Sequence, residues 1–362
     1  MGLTSQSTGT GVLENDLRIE RAAIDDKIIT LAGNPNVGKS TVFNSLTGLN
    51  QHTGNWPGKT VSNAKGKFMF RDRNFVVVDV PGTYSLMANS LEEEVARDFI
   101  CFGRPDATIV VTDATCLERN LNLVLQTLEI TDKVVVCVNL IDEAKRKRIH
   151  IDYEELSAQL GVPVVPTSAR SNKGLNKLMS AVYDIANKQI NLNPYKISYD
   201  DAIEQAVKII EPKVWELVDG KINNRWVALK LLDGDANILN SLNNYLGFNL
   251  LDNSELGKHL AEAIKYLEDN GITREMLRDI IVSKLVGKAE EISSKTVSCE
   301  NKHYNLTDRK IDCILTSRIY GIPIMLGLLG LVFWLTIEGA NIPSQIIASF
   351  LFRLEDSLSV FF

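Results

Sequence analysis

Four short segments carry residue types at spacings suited to phosphate and purine chemistry. The run Gly33, Asn34, Pro35, Asn36, Val37, Gly38, Lys39, Ser40 fits G-x-x-x-x-G-K-[ST], a loop whose backbone N–H groups wrap a phosphate chain. With Thr41 it is the expected cradle for GTP or GDP. Lys39 would reach the β- and γ-phosphates and the Ser40 hydroxyl would ligate Mg²⁺. Asp79-Val80-Pro81-Gly82 follows an apolar run. Asp79 is expected to act on Mg²⁺ from behind its direct ligands, and Gly82 to let a backbone N–H approach the γ-phosphate. In Asn139-Leu140-Ile141-Asp142, the Asp142 carboxylate can accept the two N–H donors that guanine offers and adenine does not. Asn139 is expected to bond the purine edge and tie neighbouring loops together. Ser168, Ala169 and Arg170 would bring a backbone N–H to the guanine carbonyl. The stretch 49–60 (LNQHTGNWPGKT) holds Gly54 and Gly58 and reads as a mobile loop. Its Thr60 either closes over Mg²⁺ and the γ-phosphate or is a plain loop threonine.

These segments need a scaffold. Residues 27–32, 75–79, 107–112, 133–138 and 162–165 are short β-branched runs, the pattern of strands buried on both faces. Helical patterns separate them over 40–46, 117–130, 153–160 and 175–187. The alternation predicts an α/β domain over 27–192, a P-loop GTPase fold with a mostly parallel sheet and helices on both faces. Each motif then falls at a strand's C-terminal end, where open α/β sheets bind ligands. Residues 65–73 alternate and predict an antiparallel edge strand beside 75–79. From 193 to 295 the strand runs stop. Apolar residues near three-to-four spacing over 202–218, 226–232, 256–267 and 274–286 predict an all-α helical spacer domain.

The chain of 362 residues is long enough for two or three domains. Hydrophobic residues at 45% and charged residues at 23% exclude a wholly disordered chain. Lys+Arg 39 against Asp+Glu 45 leaves a net charge of −6, so there is no basic footprint for nucleic acid. Cysteines at 101, 116, 137, 299 and 313 form no C-x-x-C pair. A disulfide framework is therefore not expected and a reducing cytosol fits; Cys101, Cys116 and Cys137 read as core. The histidines are scattered, without a zinc-like cluster. Residues 1–26 read as a flexible tail and 296–318 as a juxtamembrane linker. Residues 319–337 carry no charge and would span about 28 Å as a helix, close to a bilayer core. They read as a C-terminal transmembrane helix, or as a buried hairpin helix of a soluble domain. Arg309, Lys310 and Arg318 before it would keep the preceding domains cytoplasmic. Residues 338–362 read as a partial second membrane segment or an amphipathic one, interrupted by Arg353, Glu355 and Asp356. The whole is expected to be the front part of a larger membrane protein.

Together GNPNVGKST, LNQHTGNWPGKT, DVPGTYSL, TDATCLERNL, NLID, SARSNKG and RWVALKLLDGD resemble the cytosolic front half of the ferrous-iron transport protein B family. The resemblance implies a bacterial inner-membrane protein whose GTPase regulates or drives Fe²⁺ uptake, with cytoplasmic G and spacer domains. It implies that the helical part modulates nucleotide release. The implied partners are a guanine nucleotide, the membrane, further transmembrane spans from the same or a separate chain, a small cytosolic accessory protein and a second copy of the chain. In potassium-activated GTPases similar to this one, an asparagine at the place of Asn36 helps hold K⁺ beside the phosphates, in the role of an arginine finger. The resemblance implies that role for Asn36, against a simple loop-capping one.

Two departures from common GTPase patterns stand out. Leu140 replaces a lysine stem over the base, which predicts modest affinity and fast exchange. Thr83, not glutamine, follows Gly82, which predicts slow intrinsic hydrolysis. Residues 145–148 (KRKR) read as the solvated face of a helix start, and Glu92, Glu93 and Glu94 as a helix N-terminus after Ser90. Two rival readings are a soluble GTPase of ribosome or RNA maturation, and a transporter in its own right with an accessory G domain.

Overall fold

The computed structural model describes residues 25–48, 51–56, 61–87, 90–299, 314–315, 317 and 320–361. Most of the expected tail, most of the expected linker, and Thr60 lie outside them. The strands are β1 (Lys27–Gly33), β2 (Gln51–Asn55), β3 (Ser62–Phe70), β4 (Arg73–Asp79), β5 (Ala107–Asp113), β6 (Val134–Asn139), β7 (Ile149–Ile151), β8 (Val164–Pro166) and β9 (Val297–Cys299). Seven form one sheet in the order β2-β3-β4-β1-β5-β6-β8. From β4 to β8 every pairing is parallel; β2–β3 and β3–β4 are antiparallel.

Alternation along β1 shows why both faces are covered. Ile29 and Leu31 enter one apolar cluster with Val42 and Phe43 of α1 (Lys39–Thr47). Ile28 and Ala32 enter the other, with Val95 and Phe99 of α2 (Leu91–Phe102) and Leu121 and Val124 of α3 (Leu117–Ile130). Side chains two apart share a face, so a strand buried at every position from Ile28 to Gly33 must be sandwiched. α4 (Ile141–Arg146) and α5 (Tyr153–Leu160) add to the second face. α6 (Leu175–Ala186) covers the first through Leu178, Met179 and Val182.

The helical part comprises α7 (Asp201–Val218), α8 (Asn224–Asp233), α9 (Ala236–Leu246), α10 (Ser254–Asp269) and α11 (Arg274–Thr296). The side chains of Asn223, Asp235, Asn253 and Thr273 accept from first-turn N–H groups and so fix four of these helix starts. The sheet's second apolar cluster continues through Leu128 into Ile203, Ile210, Leu232, Leu242 and Leu285. The helical part thus completes the G domain's core instead of hanging from it. Polar contacts cross the same boundary. The buried Arg97–Asp98 pair of α2 reaches Ser241 of α9: Arg97 Nη2 donates to Ser241 Oγ, and Ser241 Oγ donates to Asp98 Oδ2, each at 3.2 Å. Phe102 stacks on Tyr245 at 4.8 Å, and the Tyr199 hydroxyl donates to Glu129 of α3.

Several expectations need correction. β3 is antiparallel as expected, but β2 lies outside it as the true edge. Residues 51–55 of the expected loop pair with 62–66. Polar, glycine-bearing QHTGN has weak strand character, and only the hairpin partner makes it one. Cys116 is exposed at the start of α3, where Asp113 turns the chain by accepting from Thr115 N at 2.7 Å; Cys101 and Cys137 are buried. The basic residues 145–148 are solvated but end a helix. Residues 297–299, read as linker, are a strand paired with Ile149–Ile151.

The described residues after Cys299 form a separate compact unit, dominated by α12 (Gly321–Phe361). The expected span over 319–337 is helical from Gly321, but the helix is 41 residues long and runs on past Glu338. Among the described residues, no helix is long and apolar enough to cross a membrane.

Candidate guanine-nucleotide site

β1 stops at Gly33, and α1 begins after Gly38. A Cβ on Gly33 would stand 2.6 Å from the Val111 carbonyl oxygen. Gly38 is left-handed at φ 83°, and a Cβ there would stand 2.5 Å from Asn139 Nδ2. Both glycines let the loop lie flat against β5 and β6, with the α1 N-terminus facing out of the turn. Asn36 is left-handed too, at φ 67°, and exposed. Asn34 is buried, and neither its Oδ1 nor its Nδ2 has a hydrogen-bond partner among the described residues. Ser40 and Thr41 are exposed on the first turn of α1.

The Lys39 ammonium donates to Asp79 Oδ1 and to the Val80 carbonyl. Burial pushes the Asp79 carboxyl above its ordinary value, against the opposing pull of Lys39. The turn after β4 is sewn to β1, with Val80 N donating to the Leu31 carbonyl and Thr83 N to the Gly33 carbonyl, each at 3.2 Å. Gly82 lies against the loop so closely that an added Cβ would stand 3.4 Å from Pro35 N. Thr83 is buried, and its hydroxyl donates to the Ser85 carbonyl at 2.6 Å. It faces the protein, so it does not take a glutamine's place in orienting water.

Asn139 joins three segments. Its Nδ2 donates to the Val37 carbonyl at 3.0 Å, and its Oδ1 accepts from Ala169 N at 3.0 Å and from the Thr167 hydroxyl at 3.3 Å. Its side-chain amide is thereby spent on the fold, as the loop-tying half of its expected role requires. Asp142 is exposed at the start of α4, and its Oδ1 accepts from Ser168 Oγ at 3.0 Å. Desolvation, the largest single influence there, acts upward, but the Ser168 bond, local backbone N–H groups and Arg146 together outweigh it and hold the carboxyl below its usual value. Leu140 before it is left-handed at φ 61°. Arg170 is exposed.

The phosphate loop, the Asp79–Gly82 turn, Asn139 with Asp142, and Ser168–Arg170 thus converge at the C-terminal ends of β1, β4, β6 and β8. Sequence reasoning missed two supports. Gln126 of α3 accepts from Leu86 N at 2.6 Å and from Ser85 Oγ at 3.2 Å, anchoring the chain after Gly82. Trp56 is buried against Phe99 of α2, ring centroids 5.1 Å apart. Gln126 carries no local signal; the buried tryptophan within an otherwise polar loop was one.

This fold and loop arrangement is that of a P-loop GTPase domain joined to an all-α partner. The chain belongs to the ferrous iron transport protein B family: residues 27–182 match its FeoB N-terminal model and residues 199–298 match the FeoB cytosolic helical domain. It is 32% identical over 315 residues to the Fe(2+) transporter FeoB of Escherichia coli K12, covering 86% of this chain and 38% of that protein. A Porphyromonas gingivalis Fe(2+) transport protein A/FeoB fusion is likewise 32% identical over 323 residues, 87% of this chain and 37% of that one. The chain therefore spans well under half the length of these relatives. The apo cytosolic domain of the T. maritima FeoB iron transporter superposes with a TM-score of 0.60 at 32% identity, covering 75% of this chain and all of that one. A GDP-bound S. thermophilus FeoB G-domain mutant gives 0.65 at 31% identity with the same coverage.

Proposed function

We propose that the chain is the GTP-binding and GTP-hydrolysing cytosolic part of a bacterial ferrous-iron uptake transporter, at the inner membrane, whose nucleotide state is passed to a membrane part. The observation that carries the reading is Asn139. One side chain clamps the phosphate loop to the loop of Ala169 and leaves the Asp142 carboxylate facing out as an acceptor for the guanine N–H pair. GDP in related FeoB G domains accords with this.

In the proposed binding mode the N–H groups of 33–41 surround the phosphates, and the Lys39 ammonium moves from Asp79 and Val80 onto the β- and γ-phosphates. Gly82 offers a backbone N–H to the γ-phosphate. The residues fit Mg²⁺: an exposed Ser40 hydroxyl beside the Lys39–Asp79 pair, in a turn where burial already strains the carboxylate. Ser40 and Thr60 would hold the ion and Asp79 would act from behind them; the ion would supply charge neutralisation at the phosphates. Asn36, left-handed and exposed, would hold K⁺. With Thr83 turned inward, hydrolysis without K⁺ is slow.

The described side chains of Ile322–Ile337 are exposed and uncharged on every side of α12. A helix apolar all round needs lipid or further apolar helices about it, which supports contact with a membrane and with spans outside this chain. A small cytosolic accessory protein and a second copy remain proposed partners by family likeness. The rival of an RNA-maturation GTPase is disfavoured by the net charge of −6. The test is a titration with GTP, GDP and ATP, repeated on Asp142→Asn. Guanine preference in the parent and a switch to xanthine nucleotides in the variant support the reading; equal binding of GTP and ATP by the parent overturns it.

A further inference from the structure

The site's base-reading end is tied to the strand by which the chain leaves the helical part. Asp142 lies in the first turn of α4, a short helix. The chain then reverses through Arg148, left-handed at φ 54°, and enters β7. β7 pairs with nothing in the main sheet. Its partner is β9, which follows α11 directly and is the last described strand. The register is Ile149↔Cys299, His150↔Ser298 and Ile151↔Val297. Beyond β9 the chain proceeds to the unit that holds α12.

Two physical features make this ladder a candidate control point. First, it is weak. Two strands of three residues are marginal on their own, and Ile149, Ile151 and Val297 are only partly buried against the core. Second, it is a short covalent and hydrogen-bonded route between Asp142 and the outgoing chain. Only α4 and one turn separate Asp142 from β7, so a shift of β7 moves the helix that carries the carboxylate. A low opening cost and a direct connection are what a local switch requires.

We infer that the β7–β9 ladder positions Asp142 and that its pairing sets how long a guanine nucleotide stays bound: paired, the base is held; opened by displacement of the outgoing chain, it is released. Ile149 to Ile151 and Val297 to Cys299 are positioning residues for the base, acting through α4. The phosphate end, built on β1 and β4, has no strand pairing with this ladder and is joined to the base end only through Asn139. The inference rests on the guanine-nucleotide reading above and names its regulation.

The register supplies its own test. Asp152 N donates to the Thr296 carbonyl at 2.8 Å, one step beyond Ile151↔Val297. Hydrogen-bonded pairs alternate along an antiparallel ladder, so His150↔Ser298 is a hydrogen-bonded pair and Ile149↔Cys299 is not. Non-hydrogen-bonded partners have Cα atoms about 4.5 Å apart, within reach of a disulfide. Ile149→Cys, in the full chain with Cys116→Ser and Cys313→Ser, can therefore bridge to the native Cys299. Diamide takes up the two thiol hydrogens as the S–S bond forms, and dithiothreitol reverses it. Release of fluorescently labelled GDP into excess GDP is measured in both states, with single-turnover GTP hydrolysis beside it. The expected result is release at least threefold slower when oxidised, restored on reduction, with the hydrolysis rate changed less than the release rate. Ile149→Ser should not respond to diamide. Ser298→Pro, which removes a ladder N–H, should speed release. Equal release rates in a chain shown by mass to be bridged would overturn the inference, and so would failure of the bridge to form, since the pairing would then be absent. If the parent bound no labelled GDP, the guanine-nucleotide reading itself would fall instead.

Discussion

Gly38 and Asn139 are packed so closely that a single added carbon on Gly38 would lie 2.5 Å from the Asn139 amide nitrogen. That nitrogen already donates to the Val37 carbonyl at 3.0 Å. The phosphate loop and the end of β6 are therefore one interlocked object. Gly38→Ala meets both the collision and a left-handed backbone, which costs an L-residue roughly 1–2 kcal/mol. The expected outcome is loss of GDP affinity of at least tenfold with the fold retained by circular dichroism. Asn139→Ala removes the obstruction but strands the Val37 carbonyl and Ala169 N, so it should also weaken binding. Isothermal titration of both variants checks this; a Gly38→Ala variant with parental affinity would contradict the packing.

How much of this site the sequence disclosed depends on the distance over which each residue acts. That Lys39, Asp79 and Asp142 fall at the strands' C-terminal ends was legible because each sits in a local pattern recognisable within a few residues. The parallel order of the central strands was legible because their apolar runs alternate with helical ones. β2 was not, since QHTGN becomes a strand only through its hairpin partner. Gln126 and Ser241 were not either: each acts on a segment far along the chain, through hydrogen bonds that no local periodicity reports. α9 escaped because ANILNSLNNYL is rich in asparagine, a poor helix former, and is held by its Asp235 cap and by burial of Ile238 and Leu242.

The boundary between the G domain and the helical part should be stiff. Arg97 and Asp98 are a buried pair, fully and almost fully enclosed, sharing Ser241 of α9. Removing one partner of such a pair leaves a buried charge unmatched, at a cost of about 3–5 kcal/mol, whereas one neutral hydroxyl is worth roughly 1 kcal/mol. Asp98→Ala is therefore expected to lower stability far more than Ser241→Ala in urea denaturation. Similar losses for the two would mean that the pair is not the dominant contact.

The two acidic groups of the site should separate on a pH scale. The Asp79 carboxyl is raised from 3.8 by burial, and that of Asp142 is held below 3.8 by hydrogen bonds that together outweigh its desolvation. As pH falls from neutrality, Asp79 takes up its proton first. In the unliganded chain its raised value contributes stability that is complete below 3.8 and is lost as pH rises through the folded value. In the proposed binding mode Mg²⁺ would require the carboxylate and reverse that preference. The strengthening of GDP binding by Mg²⁺ should therefore fade at a higher pH than the preference for guanine over adenine, which persists until Asp142 is protonated. Affinities for GDP and ADP, with and without Mg²⁺, between pH 4 and 7 test the order; guanine preference failing first would reverse the assignments.

Asn36 offers a test that separates side chain from backbone. Its φ of 67° suits asparagine and glycine and few other residues. Asn36→Gly keeps the loop's shape and deletes only the carboxamide; Asn36→Asp keeps an oxygen at the same place. Since Thr83 is turned inward and bonded to Ser85, the chain has no glutamine after Gly82 to orient water, and extra charge stabilisation at the phosphates must come from elsewhere. If Asn36 holds K⁺ there, the parent should hydrolyse GTP about tenfold or more faster in K⁺ than in Na⁺, some 1.4 kcal/mol of barrier. Asn36→Gly should bring the ratio close to one without loss of GDP affinity, and Asn36→Asp should keep part of it. Equal rates in the two salts for the parent would remove the ion from the site, and an unchanged ratio in Asn36→Gly would move it away from this side chain.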